Sequence, residues 1–365
     1  MENKIRNTGY FPALTGIRAI AAYMVFIHHF NPFPDSAETK WLHDFINEFH
    51  IGVTIFFTLS GFLIAYRYFD DKKINYKKYL TNRFARIYPM YFLLTTFTFV
   101  AGAIFLNQNQ IHDAKIYLLN ITFFRGFFTD FKFTGIAQGW SLTVEELFYL
   151  LAPISFILIK RSKIYLIIIP LILLTIGLLS VYFFKDINFH GFMGEMNFML
   201  LYTFFGRSTE FFLGIFLALL YKQRPHIGFN GLFTYLGLFI IFLMVFILST
   251  LKGDSTYGLH HPMGIVVNNV LLPAFGICTF FWGLLTEKTI LNKILGSKLF
   301  ETLGKSSYIF YLIHMGLISI VIGKTVGNQL TLFILLNILS FLLYHYLEEP
   351  INKFLRKRMS KQSQE

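Results

Sequence analysis

Apolar residues run along this chain in long blocks separated by short polar turns. Windows of ~20 residues, the length that crosses a bilayer as a helix, place spans near residues 11–31, 51–69, 87–106, 142–159, 164–184, 201–221, 229–250, 265–285, 306–323 and 328–347. The pattern predicts an all-α polytopic membrane protein with about ten transmembrane helices. One block resists. Residues 116–128, IYLLNITFFRGFF, are apolar but too short to cross, so a re-entrant or interfacial piece is expected there. No repeat of fixed period, low-complexity tract or long linker interrupts the blocks. The expected organisation is one membrane domain over residues 1–350 and a basic cytoplasmic tail over 351–365, its RKRMSKQSQE end frayed.

Composition supports this class. Of 365 residues, 55% are hydrophobic and 14% charged, a balance soluble domains rarely show. The lone Cys278 excludes an intrachain disulfide and a multi-cysteine metal site, and no metal is expected. The first apolar block lacks a small-residue cleavage pattern and is long enough to span, so it is expected to remain as the first helix. Although the net charge is +12, the basic residues are scattered over short loops. That dispersal argues for membrane orientation rather than nucleic-acid binding. With ten spans, 23 lysines and arginines fall on the side of the termini and seven on the other. The asymmetry predicts that both termini are cytoplasmic and that the chain resides in the cell membrane as a multi-pass protein.

Ionisable groups inside spans are costly, by ~2.5–3.5 kcal/mol at the centre, and each is therefore a functional candidate. Arg18 and His29 lie eleven positions apart on the first span. At ~100° per residue they share one helical face about 16 Å apart, while His28 points roughly 100° away from it. Glu145 and Glu146 sit in GWSLTVEELFYLLAP, Arg207 and Glu210 in GRSTEFFLGI, His314 in SYIFYLIH, and Glu348 and Glu349 before Pro350. Each has a structural reading beside the functional one. Arg207 and Glu210, three residues apart, can neutralise one another. Thr143 and Glu146 fit a capping box opening a helix just after Trp140, which makes Glu146 structural and leaves Glu145 without that explanation. Glu348 and Glu349 fit a solvated helix end before a proline stop, and His314 fits a core histidine bonded to a backbone carbonyl or a tyrosine. The outer-loop histidines His43, His190, His260 and His261 need no special role. Arg83 and Arg86, one helical turn apart in NRFARIYP, serve equally as a topology signal facing lipid phosphates or as a clamp for a phosphorylated ligand.

These residues, taken together, resemble the membrane acyltransferase 3 family, whose bacterial members O-acylate surface carbohydrates and related acceptors. The likeness begins with LTGIRAIAAYMVFIHHF, which carries the family's arginine, ten residues, then histidine, with His29 in register. It continues through FFTLSGFL (56–63), RFARIYPMY (83–91), WSLTVEELFY (140–149), EFFLGI (210–215), LGKSSYIFYLIH (303–314) and YLEEP (346–350). Their order and spacing across nearly the whole chain carry the resemblance.

It implies transfer of an acyl group, usually acetyl from cytoplasmic acetyl-CoA or another acyl-CoA, to a hydroxyl of a polysaccharide or glycolipid acceptor at the outer face. On that reading Arg83 and Arg86, with Arg18, bind the donor, whose pantetheine arm extends along the Arg18–His29 face. His29 is expected to act as general base or to carry the acyl group itself. Glu145 is expected to orient His29, and Arg18 to stabilise the thioester carbonyl or a phosphate. Trp140, Arg207, Glu210 and His314 are the expected substrate-binding residues. Lipid is an implied partner. The chain ends soon after the tenth span without the fused extracytoplasmic hydrolase-like domain of many relatives, so either it acts alone or a separate protein accepts the acyl group. A glycan transporter or flippase is the rival reading; it predicts internal repetition, which the two halves of the sequence lack.

Overall fold

The computed structural model describes residues 9–72, 74–105, 113–223, 229–253 and 255–361. The described chain is helical, with one isolated bridge, Phe128 to Phe192, as its sole β pairing. Its first half contains α1 (Pro12–His29), α2 (Lys40–Asn47), α3 (Gly52–Tyr68), α4 (Tyr76–Phe105), α5 (Ala114–Ile121), α6 (Trp140–Arg161) and α7 (Tyr165–Phe184). The second half contains α8 (Met196–Tyr202), α9 (Phe204–Gln223), α10 (Leu232–Leu251), α11 (Pro262–Thr286), α12 (Ile290–Leu295), α13 (Lys298–Ile313), α14 (Leu317–Val326), α15 (Gln329–Leu343) and α16 (Glu349–Lys361).

Among the described residues, eight helices are long and apolar enough to cross a membrane, or nine if the broken pair α13 and α14, bent by 93°, is one span. The expected ten is not reached because α1 does not pass. Its eighteen residues include Arg18, His28 and His29, which pull its hydropathy down. Yet α1 is one continuous helix, and it is not a peripheral one: Ala19, Ala21 and Ala22 are wholly buried where it packs between α3 and α13. Small residues permit that approach, since a Cβ at Gly304 of α13 would sit 1.9 Å from the Thr15 carbonyl oxygen. The α3–α9 crossing is built the same way, Gly61 lying against the Phe211 carbonyl and Gly214 against that of Thr58. By contrast α7 and α10 present Ile167, Leu171, Leu179, Phe239 and Phe242 outward, as a lipid-facing periphery requires. The helices at the centre are thus the ones carrying charge.

The short block over 116–128 forms the eight-residue α5 and a 3₁₀ turn over Phe124–Phe127, neither of which can cross. Two expectations about helix ends fail. Pro350 does not stop the last helix, because a π-helical turn over Tyr344–Glu348 widens the helix just before the ring, and the chain continues through α16 to Lys361. The tail is therefore helical as far as Lys361 rather than frayed from Arg356 on; residues 362–365 lie outside the described residues. The capping box is also absent. Helix α6 opens at Trp140, three residues before Thr143, so Thr143 lies within the helix and its hydroxyl donates to the Phe123 carbonyl at 2.9 Å. Glu146 Oε1 is left buried without a hydrogen-bond partner.

Candidate functional site

Two cavities lie at opposite ends of α1, and a narrow space between them shares lining residues with both. At the N-terminal end, a basic cavity of about 740 Å³ is lined by Arg18, Arg67, Arg83, Arg86, Lys222 and Lys305, together with Tyr10 and Asp70. Only Asp70 among these is acidic, and it is engaged by Lys222 at 2.6 Å. Arg83 is 6% exposed; its guanidinium lies over the rings of Tyr68 and Tyr149, and its Nε has no hydrogen-bond partner. A buried guanidinium with an unused donor suits an anion. The i,i+3 arginine pair therefore lines a cavity rather than lying only at a lipid surface.

Arg18, Arg83 and Arg86 also line the neck, a space of about 70 Å³ that continues inward past Ser60, Glu145 and Tyr149 to Tyr311 and Val53. There the Ser60 hydroxyl donates to Glu145 at 2.5 Å, and the Tyr149 hydroxyl donates to the same oxygen. Glu145 is consequently a neck residue. The expected Glu145–His29 pair does not form: the i,i+4 bond to Tyr149 turns the carboxylate along its own helix, and His29 belongs to the next cavity.

That next cavity, the histidine cavity of about 400 Å³, shares Val53 and Tyr311 with the neck. Its wall includes His28, His29, His50, Trp140, Arg207 and Tyr257. His29 projects into it from the last turn of α1, its ring 4.6 Å from that of His28 and stacked 5.5 Å from that of His314. His28, expected to face elsewhere, reaches the same cavity, with Nδ1 donating to the Asn47 carbonyl at 2.5 Å. His314 is fully buried at the α13–α14 break, and its Nδ1 donates to the Tyr311 carbonyl at 2.8 Å. A carbonyl only accepts, so in the neutral ring Nε2 keeps its lone pair; that nitrogen is buried without a partner. Gln138, just before α6, donates to the carbonyls of Tyr311 and Leu312 and ties the break to the start of that helix.

Arg207 and Glu210 do neutralise one another. Arg207 donates from Nε and a terminal nitrogen to the two carboxylate oxygens at 2.8 and 2.6 Å, and to Thr54 at 2.9 Å. The same arginine lines the histidine cavity, whereas Glu210 lies behind it. At the opposite end Glu348 is buried, with Oε2 unpartnered, and only Glu349 is solvated beside Lys353, so the helix-end reading fails for Glu348. Among the described residues, no three His, Cys, Asp or Glu side chains are placed to hold a metal ion.

Three site features escaped the sequence reading. Glu48 is fully buried and accepts from His50 at 2.9 Å and from the Gly258 amide at 2.7 Å. Spacing alone could have raised this pair: an acidic residue and a histidine two apart, just before a hydrophobic helix. Arg125, counted with the loops, is wholly buried and donates to the carbonyls of Thr134 and Ile136, holding the loop that leads into α6. Tyr257 arrives from a distant loop, 5.1 Å from His28 in ring separation, with no local signal.

Comparison with known proteins agrees with this architecture. An acyltransferase domain family, acyltransferase 3, matches residues 11–345. Similar proteins include two from Staphylococcus aureus strains COL and MSSA476, provisionally named O-acetyltransferases, each 26% identical over 96% of this chain. The O-acetyltransferase OatA of strain NCTC 8325 is 25% identical over the same share. The chain spans 58% of the length of these relatives. No solved structure matches it. With the family covering nearly all of a bundle of apolar helices, the chain is a multi-pass membrane protein that belongs to the acyltransferase 3 family.

Proposed function

We propose that this chain moves an acyl group, acetyl in the first instance, from an acyl-CoA in the basic cavity to a hydroxyl of a carbohydrate or glycolipid acceptor in the histidine cavity. One observation carries the reading: Arg18 and His29, on a single helix, line different cavities, and the narrow space between them shares walls with both. A phosphate-rich donor head fits the wide cationic end, and a pantetheine arm is the kind of thin chain that fits a neck. Arg83, Arg86 and Arg18 hold the phosphates. His29 stands where thioester and acceptor meet, and Glu145 holds the neck through Ser60 and Tyr149. Trp140 and Tyr202, their rings 4.9 Å apart edge to face, give the acceptor cavity an aromatic wall on which a sugar ring can lie.

The excess of basic residues around the donor cavity supports an orientation in which that end, with both termini, faces the cytoplasm, α1 being counted as a crossing. Acetyl is favoured because the relatives are named O-acetyltransferases. The acceptor is either a glycan in direct contact or a separate extracytoplasmic protein that passes the group on.

The deciding experiment supplies acetyl-CoA to protein in proteoliposomes and follows both free thiol and acylated acceptor. Thiol release that depends on acceptor supports the proposal. Glycan flux without acyl transfer would return the transporter reading and sink this one.

A further inference from the structure

The histidine cavity contains one imidazole anchored by a carboxylate, and it is not His29. His50 Nε2 lies 2.9 Å from Glu48 Oε2, and the other carboxylate oxygen accepts the Gly258 amide at 2.7 Å. Glu48 is wholly buried, so its orientation is fixed from both sides. Because a carboxylate only accepts, the His50 proton sits on Nε2, and Nδ1 carries the free lone pair. His28 is fixed as well, but by a neutral carbonyl. A carbonyl orients a ring without stabilising the cation that forms when the ring takes a proton, whereas a carboxylate does both. Of the imidazoles on this wall, His50 is therefore the one built to become positively charged.

We infer that His50 is the general base for the acceptor hydroxyl and Glu48 its positioning residue, an inference that rests on the acyl-transfer reading above. The hydroxyl oxygen forms a bond to the thioester carbonyl carbon as its proton passes to His50 Nδ1. The carbon–sulfur bond then breaks, and the proton held by His50 leaves with the thiolate as free thiol, so that ester and CoA are the products and the imidazole is neutral again. If His29 first takes the acyl group, its own ring proton leaves with the thiolate as free thiol; the hydroxyl oxygen then bonds to the acyl carbon as its proton passes to His50, the carbon–nitrogen bond breaks, and His50 returns that proton to the departing His29 ring. In both routes His29 serves the acyl end and His50 the hydroxyl end. Its ring lies 5.6 Å from that of His28, next to His29 on the same wall.

The test compares two acceptors in proteoliposomes supplied with acetyl-CoA. Methyl glucoside is a hydroxyl that must lose its proton to attack, whereas hydroxylamine attacks without a base. In Glu48→Gln the amide oxygen can still accept the Gly258 amide, but the amide nitrogen donates to His50 Nε2 and forces the proton onto Nδ1. Glu48→Gln and His50→Gln are each expected to lose ~10²–10⁴-fold in transfer to methyl glucoside, to keep hydroxylamine transfer within about threefold, and to bind CoA as wild type does. Imidazole added to His50→Ala should restore part of the glucoside reaction. Equal loss with both acceptors would show a structural or acyl-end role and overturn the inference. So would unchanged glucoside transfer in both Gln variants, or a wild type that acylates hydroxylamine but never the glucoside. A wild type inert towards both probes would instead overturn the acyl-transfer reading itself.

Discussion

Removing the Glu210 carboxylate separates what the Arg207–Glu210 pair does for the fold from what Arg207 does for the acceptor. Both side chains are buried, at 4% and 0% exposure. In Glu210→Ala, Arg207 loses two charge-assisted bonds and keeps only Thr54, Leu201 and the face of Phe57. An uncompensated buried charge of this kind costs about 3–5 kcal/mol. Replacing both partners with apolar residues of similar volume, Arg207→Met with Glu210→Leu, removes the stranded charge and should recover all but ~1 kcal/mol, since such pairs are often neutral against a packed apolar pair. Reversible unfolding in mixed micelles measures both. Activity per folded molecule then reports on chemistry, because the double variant is folded yet presents no guanidinium to the histidine cavity. It should bind CoA normally and transfer at least ~10-fold more slowly, the loss of one charge-assisted contact of roughly 1.5–3 kcal/mol. A Glu210→Ala chain within ~1 kcal/mol of wild type would refute the burial argument. Full activity in the double variant would remove Arg207 from acceptor binding.

Other outcomes follow from the same geometry. Arg83→Ala and Arg86→Ala should each weaken CoA binding by about 1.5–3 kcal/mol, with Lys restoring only part of it; calorimetric titration showing normal affinity would reduce the pair to a topology signal. His29→Ala should abolish transfer to methyl glucoside and hydroxylamine alike in a protein that still folds and binds CoA. His28→Ala, which loses an anchored ring one place along, should retain measurable transfer, and equal near-wild-type rates would take His29 out of the mechanism. Glu287 opposes burial, which disfavours its charge, with the Thr234 hydroxyl and the amides of Thr234, Phe233 and Phe229, and these hold it below the usual carboxylate range. Its contribution is thus present above the ordinary carboxylate pKa of ~4.3 and lost as pH falls through the depressed value. Glu287→Gln should cost ~1–3 kcal/mol at neutral pH and flatten the acid limb of a stability–pH curve. An impermeant thiol reagent should label a cysteine at Lys40 from outside and one at Lys77 only from within, the native Cys278 being buried; reversed labelling would invert the orientation.

What the sequence disclosed depended on the reach of each signal. Hydropathy blocks are local and long, so every expected span has a helix over most of its length, including the broken one at His314. The crossing of α1 was less legible, because Arg18, His28 and His29 lower its hydropathy. Helical phase was only partly readable: Arg18 and His29 both line cavities, but His28, placed about 100° away from their face, reaches the same cavity as His29. Helix ends were read less well. Thr143 and Glu146 have capping-box spacing, but Gln138 and Arg125 fix the preceding loop so that α6 begins earlier. Pro350 carries a stop signal that the π turn before it overrides.

Pairings across the bundle were the least legible. Glu145 is expected to orient His29 as the acidic partner of a triad does, yet a carboxylate four residues before a tyrosine has a partner on its own helix and needs none from α1. The acidic partner for an imidazole came instead from Glu48, two residues from His50, where a 3₁₀ turn over Glu48–Ile51 folds the two side chains together. Both cases turn on the same physics. In a low-dielectric core a buried charge is stabilised by whichever complementary group needs the least ordering to reach it, and short-range partners cost least. Glu145 with Tyr149, Arg207 with Glu210 and Glu48 with His50 all lie within four residues of one another. His29 has no complementary charge nearby in sequence; its ring neighbours are His28 beside it and His314 from another helix, and it is left facing the cavity. A local partner therefore fixes how a buried charge is held, as scaffold for Glu145 and as a poised cavity group for His50 and Arg207, and it is the cavity such a group lines that separates the two.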